Sequence, residues 1–351
     1  MLRTLIGLLA GVAGFLVACE AAFRVLPVST ATMTGYYIDP YILGYPAVHQ
    51  WTAATGWDLR NPQRLQGNNL GFLADRPHVR DPRAVALIGD SYVEASMLPP
   101  GDRPGAQLER MLADTRPVYA MGGPGSSLLD YAERVRYAYQ QLDVRDFVIL
   151  FEAGDMRQSV CGSGNVHAVC LSPDRLDLRM QTQPAPSTLK KVLRHSGLAQ
   201  YVSGQIRANP ARFVLNAFVR KVPDHAASLA GADTALPAPM GTLSEDRARM
   251  VDAVTAAFFA RIAETAPDAR LLILADGVRK PGDALAPGVA AERQRFLQNA
   301  RNRGLTVLDG EPAYARHALS SNLSLAVGPY DAHLNSKGVE LLMSLAADAL
   351  R

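Results

Sequence analysis

The sequence predicts an α/β protein: a three-layer α/β/α sandwich around a five-stranded, mainly parallel sheet, with an N-terminal membrane-targeting helix and a helical insertion. Three observations predict it. From Arg83 onward, short apolar runs alternate with amphipathic segments, the pattern of strands covered on both faces by crossover helices. One stretch, about residues 156–242, is too long for an ordinary connection between elements and reads as an insertion. The chain also opens on an apolar run preceded by one positive residue, Arg3.

Residues 1–26 are the targeting segment. The run from Leu5 to Cys19 (LIGLLAGVAGFLVAC) is short for a hydrocarbon core of roughly 30 Å unless it continues past Glu20 to about Leu26. Two readings stay open. Leu16-Val17-Ala18-Cys19 resembles the lipobox of bacterial lipoproteins, in which cleavage precedes a Cys that carries the lipid. Alternatively the segment is a signal anchor with Glu20 and Arg24 as its polar edge. A buried core helix is disfavoured, because a terminal helix apolar all round has nothing to pack into. Both surviving readings export the bulk of the chain to the periplasmic side of a bacterial membrane.

Residues 27–81 are aromatic and turn-rich, with Tyr36, Tyr37, Tyr41, Tyr45, Trp51 and Trp57 among Gly, Pro and Asn, and read as an irregular cap. Residues 82–351 form the main domain. Its strands are expected at Ala84–Ile88, Val118–Met121, Phe147–Phe151, Leu271–Ala275 and Leu305–Leu308. Its helices are expected at Gly105–Ala113, Leu128–Leu142, Ser244–Thr265, Val289–Arg303 and Ser336–Leu350. In the insertion, residues 186–221 have helical spacing with Lys190, Lys191, Arg194, Arg207, Arg212 and Arg220 on one side, and a looser stretch, 226–241, follows. A solvated helix face explains these charges better than a site for acidic glycan.

The formal net charge is +3 over 351 residues and no Lys/Arg block occurs, so nucleic acid is excluded as a partner. Cys161 and Cys170 flank a polar, Gly-containing stretch (CGSGNVHAVC) and are expected to form a disulfide in an oxidising compartment. A metal pair assisted by His167 leaves a tetrahedral site one ligand short. His49, His78, His195, His225 and His317 are scattered without ligand spacing. No metal and no other cofactor is expected.

The first expected strand runs into Gly89-Asp90-Ser91 and then a helix start. That turn presents a serine at the C-terminal edge of the sheet, beside helix N-terminal N–H groups. A hydroxyl needs a base, and an imidazole needs a carboxylate to fix its tautomer. Asp331-Ala332-His333, just before the closing helix, supplies both.

Together, GDS after the first strand and D-x-H-x-N-x-x-G (Asp331 to Gly338) before the last helix resemble the SGNH/GDSL hydrolase family, especially its exported bacterial branch. The likeness runs from about Asn68, where Asn68-Asn69-Leu70-Gly71-Phe72 is similar to that branch's N-x-x-G-F, to the C-terminus. It implies a flavodoxin-like sheet, Ser91, His333 and Asp331 as catalytic residues, and the N–H groups of Ser91 and Gly125 as oxyanion donors. In the third block the family's G-x-N-D is Glu152-Ala153-Gly154-Asp155 here, so Gly154 stands where an amide donor is expected. Loss of such a donor costs roughly 10²–10³ in rate. Three substitutes are open: the Gly154 N–H, an amide such as Asn165 or Gln158, or a bound partner. The short D-x-H spacing resembles related polysaccharide O-acetyl enzymes.

The expected function is therefore a serine esterase or O-acyl transferase acting on O-acetyl groups of an envelope or exported polysaccharide, within reach of an envelope synthesis or export complex. The rival is a disarmed SGNH fold that binds glycan or scaffolds such a complex. Tyr92 and Glu94 read equally as pocket residues or as a helix face, and the disulfide loop is expected near the pocket mouth.

Overall fold

The computed structural model describes residues 2–165, 168–206, 243–280 and 282–351. His167, Arg207, Arg212, Arg220, His225 and the stretch 226–241 lie outside them. The α-helices among the described residues are, in chain order, α1 (Leu2–Val25), α2 (Ser91–Glu94), α3 (Pro104–Met111), α4 (Leu128–Leu142), α5 (Asp155–Gln158), α6 (Thr188–Leu193), α7 (Gly197–Gln200), α8 (Glu245–Thr265), α9 (Pro287–Asn302), α10 (Glu311–Ser320) and α11 (Ser336–Leu350). The chain divides into two compact units.

The larger unit is built on five parallel strands: β1 (Val85–Gly89), β2 (Val118–Gly122), β3 (Asp146–Phe151), β4 (Arg270–Ala275) and β5 (Thr306–Asp309). They lie in the order β5-β4-β3-β1-β2, the doubly wound order whose direction of winding reverses between β1 and β3. Strand periodicity sorts the apolar residues to two faces. Ala86, Ile88, Phe147, Ile149, Phe151, Ile273 and Ala275 face one core, covered by α4, α8 and α9 through Val135, Val254, Phe258 and Phe296. Val85, Leu87, Val148, Leu150, Leu272 and Leu274 face the other, covered by α3 and α11 through Leu108, Val339, Leu342, Met343 and Ala346. The last four follow the i, i+3, i+4, i+7 spacing of one helix face. This is the expected three-layer sandwich.

Polar residues start the helices that matter for the site. Asp90 caps α2 by accepting from Tyr92 N–H at 2.8 Å, Ser127 and Asp130 form a capping box on α4, and Asn335 caps α11 by accepting from Gly338 N–H at 3.0 Å.

The stretch expected to be irregular contains paired strands. Gly35–Asp39 pairs antiparallel with Ile42–Gly44, and Gln50–Thr55 with Arg60–Gln66 forms another two-stranded sheet. Their Tyr, Trp, Ile and Thr residues favour extended backbone. At the following turn Asn68 Oδ1 accepts from the N–H groups of Leu70 and Phe72, each at 3.0 Å. Gly71 there has φ +84°, and a Cβ on it would strike the Tyr45 carbonyl. This is the physical content of the N-x-x-G-F pattern.

The smaller unit gathers described residues 2–31, 51–62 and 186–206. α1 buries no residue, and is the one helix among the described residues long and apolar enough to cross a membrane.

Candidate active site

β1 ends at Gly89, and Ser91 opens α2 directly after it. A Cβ on Gly89 would meet Val93 Cγ2 at 2.6 Å, so glycine lets α2 pack this closely on the end of the strand, and a larger residue would have to push Val93 aside. Ala95 then ends α2 in the left-handed region, with φ 45°. Arg134, fully buried on α4, donates through Nη1 to the carbonyls of Gly89 (2.6 Å) and Met121 (3.1 Å). It thereby ties the C-terminal ends of β1 and β2 together beneath the turn.

The loop before α11 brings His333 to this turn. Ser91 Oγ lies 2.8 Å from His333 Nε2, and His333 Nδ1 lies 2.6 Å from Asp331 Oδ1. The same carboxylate oxygen accepts the His333 backbone N–H at 2.9 Å. In the tautomer whose Nε2 accepts from Ser91, Nδ1–H donates to Asp331. The imidazole side chain keeps 28% of its surface exposed and the Asp331 side chain 14%, so the pair is sheltered yet open to a solute. Two segments far apart in sequence, the turn at Ser91 and the Asp331–His333 loop, meet at the switch point of the sheet, the crevice where open α/β folds bind ligands.

A second layer holds the first. Arg279, on the loop after β4, donates to the Ala332 carbonyl, to Tyr92 Oη at 3.0 Å and to Asp276 Oδ2 at 2.6 Å. The Tyr92 ring packs against that of His333 with centroids 4.7 Å apart and the planes tilted by 47°. Asp276 also accepts from Tyr314 Oη at 2.8 Å, and its carbonyl accepts from Arg293 Nε and Nη2 at 3.0 and 2.9 Å. Arg279 thus bridges the His–Asp loop, the residue after Ser91 and the end of β4. Sequence reading missed it, because its role depends on three segments meeting in space. The available signal was a lone Asp–Arg pair just past a strand.

Acidic groups crowd the floor. Asp90 and Asp155 are buried, and both carboxyls are raised, first by burial, with mutual repulsion adding to Asp155. Asp155 accepts from Tyr131 Oη at 3.0 Å and from Glu152 N–H at 2.9 Å. Burial first, then the charges of Asp90 and Asp276, push Glu152 up to about 7. The Gly154 N–H, a candidate oxyanion donor, donates to Glu152 Oε2 at 2.5 Å. A Cβ at 154 would meet that oxygen at 2.5 Å and Gln158 Nε2 at 2.9 Å, so Glu152 fills the place a side chain on residue 154 would take. Asn165 keeps a buried Nδ2 without a hydrogen-bond partner among the described residues.

Gly125, in the turn after β2, has φ +74°, a conformation that favours glycine. Cys161 and Cys170 form a disulfide, while Cys19 is a free thiol within α1. Of the two ambiguous residues, Tyr92 covers His333. Glu94 turns into the core, where it accepts from Tyr45 Oη at 3.3 Å. A separate cavity of about 280 Å³ beside α3 and β2 is lined by Asp75, Arg76, Arg103 and Glu109 and contains none of Ser91, Asp331 or His333.

No family model matches the chain, and no curated protein matches it. Solved structures do. A member of the lipolytic protein G-D-S-L family from Veillonella parvula is 11% identical, with 76% of this chain and 97% of that one covered and a TM-score of 0.38. A carbohydrate acetylesterase from Sinorhizobium meliloti is 9% identical, with 76% and 98% covered and a TM-score of 0.38. An alpha/beta hydrolase enzyme from the metagenome of Lake Arreo, Spain, is 13% identical, with 78% and 97% covered and a TM-score of 0.41. At such identities and scores no residue's role transfers to this chain.

Proposed function

We propose that this chain is an exported, membrane-held serine esterase or O-acyl transferase of SGNH type. Its substrate class is O-acyl groups, foremost O-acetyl, on an envelope or exported polysaccharide. The observation that carries the reading is the continuous contact from Ser91 Oγ through the imidazole of His333 to Asp331. Ser91 Oγ attacks the acyl carbonyl while His333 Nε2 takes its proton, and Asp331 holds the imidazole and offsets the imidazolium charge. The N–H groups of Ser91 and Gly125 receive the developing oxyanion. Collapse expels the sugar alkoxide, which takes the proton from His333. Water or a second sugar hydroxyl then attacks the acyl-serine by the same base.

The third donor is the open element of this reading. Gly154 N–H reaches an oxyanion only on release from Glu152, and the amides of Gln158 and Asn165 are the alternatives that the sequence offers. The engagement of Gly154 by Glu152 also favours a second reading, a disarmed SGNH fold that binds glycan or scaffolds an envelope synthesis complex.

One experiment separates the two: exposing the full-length protein to a fluorophosphonate probe, beside Ser91→Ala and His333→Ala. The esterase or transferase reading expects labelling of the wild type that both substitutions abolish. Folded wild-type protein that takes no label supports the disarmed fold. Given labelling, acetylated glycan that rises when the protein is deleted indicates hydrolysis, and glycan that falls indicates transfer.

A further inference from the structure

The smaller unit carries an unusual surface around the end of α1. Glu20, at the close of the apolar run, accepts from Ser196 Oγ at 2.7 Å, from Gly197 N–H at 3.1 Å and from Leu198 N–H at 3.0 Å. A Cβ on Gly197 would come within 2.9 Å of the Phe23 backbone. The Phe23 and Tyr201 rings stack at 4.1 Å, and Tyr201 Oη donates to the Trp57 carbonyl at 2.8 Å. Residues 196–201 and the tip of the hairpin around Trp57 are therefore fastened at the level where α1 turns from apolar to polar.

α6 ends three residues before Ser196. At six residues it is about 9 Å long, so all of it stays near that level. Leu189, Val192 and Leu193 share one face by their i, i+3, i+4 spacing and are 68%, 63% and 45% exposed. Lys190, Lys191 and Arg194 share the other, and residues 181–206 contain no Asp or Glu. Trp57 is 62% exposed. Apolar side chains facing one way, basic ones the other and an exposed tryptophan are the composition of an element lying in a membrane interface.

We propose that α6 and Trp57 form a collar seated in the leaflet surface around α1, with Leu189, Val192 and Leu193 among the acyl chains and Lys190, Lys191 and Arg194 on anionic headgroups. The proposal rests on the reading of α1 as a membrane span. Continuity with that span identifies bilayer rather than protein as the occupant of the apolar face. A six-residue helix would bind lipid weakly alone, but fastening to α1 makes its insertion an intramolecular event.

The test uses full-length protein in nanodiscs containing phosphatidylglycerol, in a Cys19→Ser background, with nitroxide labels on Leu9→Cys, Lys191→Cys and Val192→Cys in turn. Expected is relaxation of the labels at 9 and 192 more by oxygen than by a water-soluble nickel chelate, with the ratio reversed at 191. Equal nickel access at 191 and 192, with the label at 9 still in hydrocarbon, overturns the collar and leaves the span. Shielding of the label at 192 from both reagents assigns the face to protein, such as a second copy, and overturns it too. Nickel access at 9 removes the span and the collar with it. Independently, brominated lipid should quench a component of the tryptophan fluorescence that disappears in Trp57→Phe. Quenching unchanged by that substitution counts against the proposal.

Discussion

Asp331 lies two residues before His333, so one carboxylate oxygen takes both the backbone N–H and the ring Nδ1–H of that histidine. The short D-x-H spacing is thus a self-contained device that fixes ring and tautomer within one loop. Asp331→Asn keeps the shape but replaces an acceptor-only carboxylate by a neutral amide, which can present a donor to Nδ1 and does not offset the imidazolium charge. It is expected to lower the fluorophosphonate labelling rate by on the order of 10⁴ with the thermal midpoint little changed. Labelling at the wild-type rate would remove Asp331 from the mechanism. Arg279 acts one step further out, on the Ala332 carbonyl and on Tyr92. Arg279→Met should slow labelling by about 10- to 100-fold through misplacement of His333, and Arg279→Lys should recover part of it. A rate unchanged in the folded Met variant would make the bridge merely structural. Ser91, Asp331 and His333 were legible because each sits in a local pattern with a chemical requirement. Arg279, Asp276 and Glu152 were not, because their contacts around the candidate site are made by elements that meet only after folding.

Helices and strands were legible in proportion to the strength of their periodicity. α4 and α11 run over the expected residues, since Ser127 with Asp130 and Asn335 set their starts and apolar faces fix their lengths. Strands buried on both faces declared themselves as short apolar runs. The paired strands at 35–44 and 50–66 did not, because half-buried aromatic and polar residues among turn formers carry no clean alternation. α10 was missed as well: it follows β5 after a single glycine, with only Ala313 and Tyr314 buried. Within the insertion, Val169–Leu171 pairs with Leu178–Met180, and the disulfide joins Cys170 of that hairpin to Cys161, nine residues earlier. Closing so short a loop removes chain entropy worth about 2–3 kcal/mol in the usual loop-closure treatment. Replacing both cysteines by alanine should lower the unfolding free energy by about that amount in urea titrations. An unchanged midpoint would mean that the hairpin orders the loop unaided.

At the scale of the molecule, the parallel sheet and its two helical layers followed from alternation of elements, whereas the strand order was implied only by the resemblance to a flavodoxin-like fold, because the reversal between β1 and β3 leaves no mark on any single segment. That reversal places Ser91 beside the residues that follow β3 and beneath the loop before α11. The same centre buries more carboxyls than it pairs with cations, which makes global stability depend on pH. Glu94 is 3% exposed, and burial raises it from 4.5 to about 7, against the opposing pull of Tyr45, Ser96, Arg134 and Arg103. The unfolded chain releases this proton near 4.5 and the folded protein only near 7, so over that interval the folded state binds more protons. The stability Glu94 contributes is therefore complete below about 4.5 and lost as pH rises through about 7. The interval corresponds to about 3 kcal/mol. Glu94→Gln removes the titrating proton and keeps a group that can bond Tyr45. Chemical denaturation of both proteins from about pH 4 to pH 8 should show the wild type losing about 3 kcal/mol more than the variant across the range. The other carboxyls shape both profiles alike and cancel in the difference. Parallel profiles would mean that Glu94 ionises in the folded protein as readily as in the unfolded chain, through water or a cation reaching the space beneath α2.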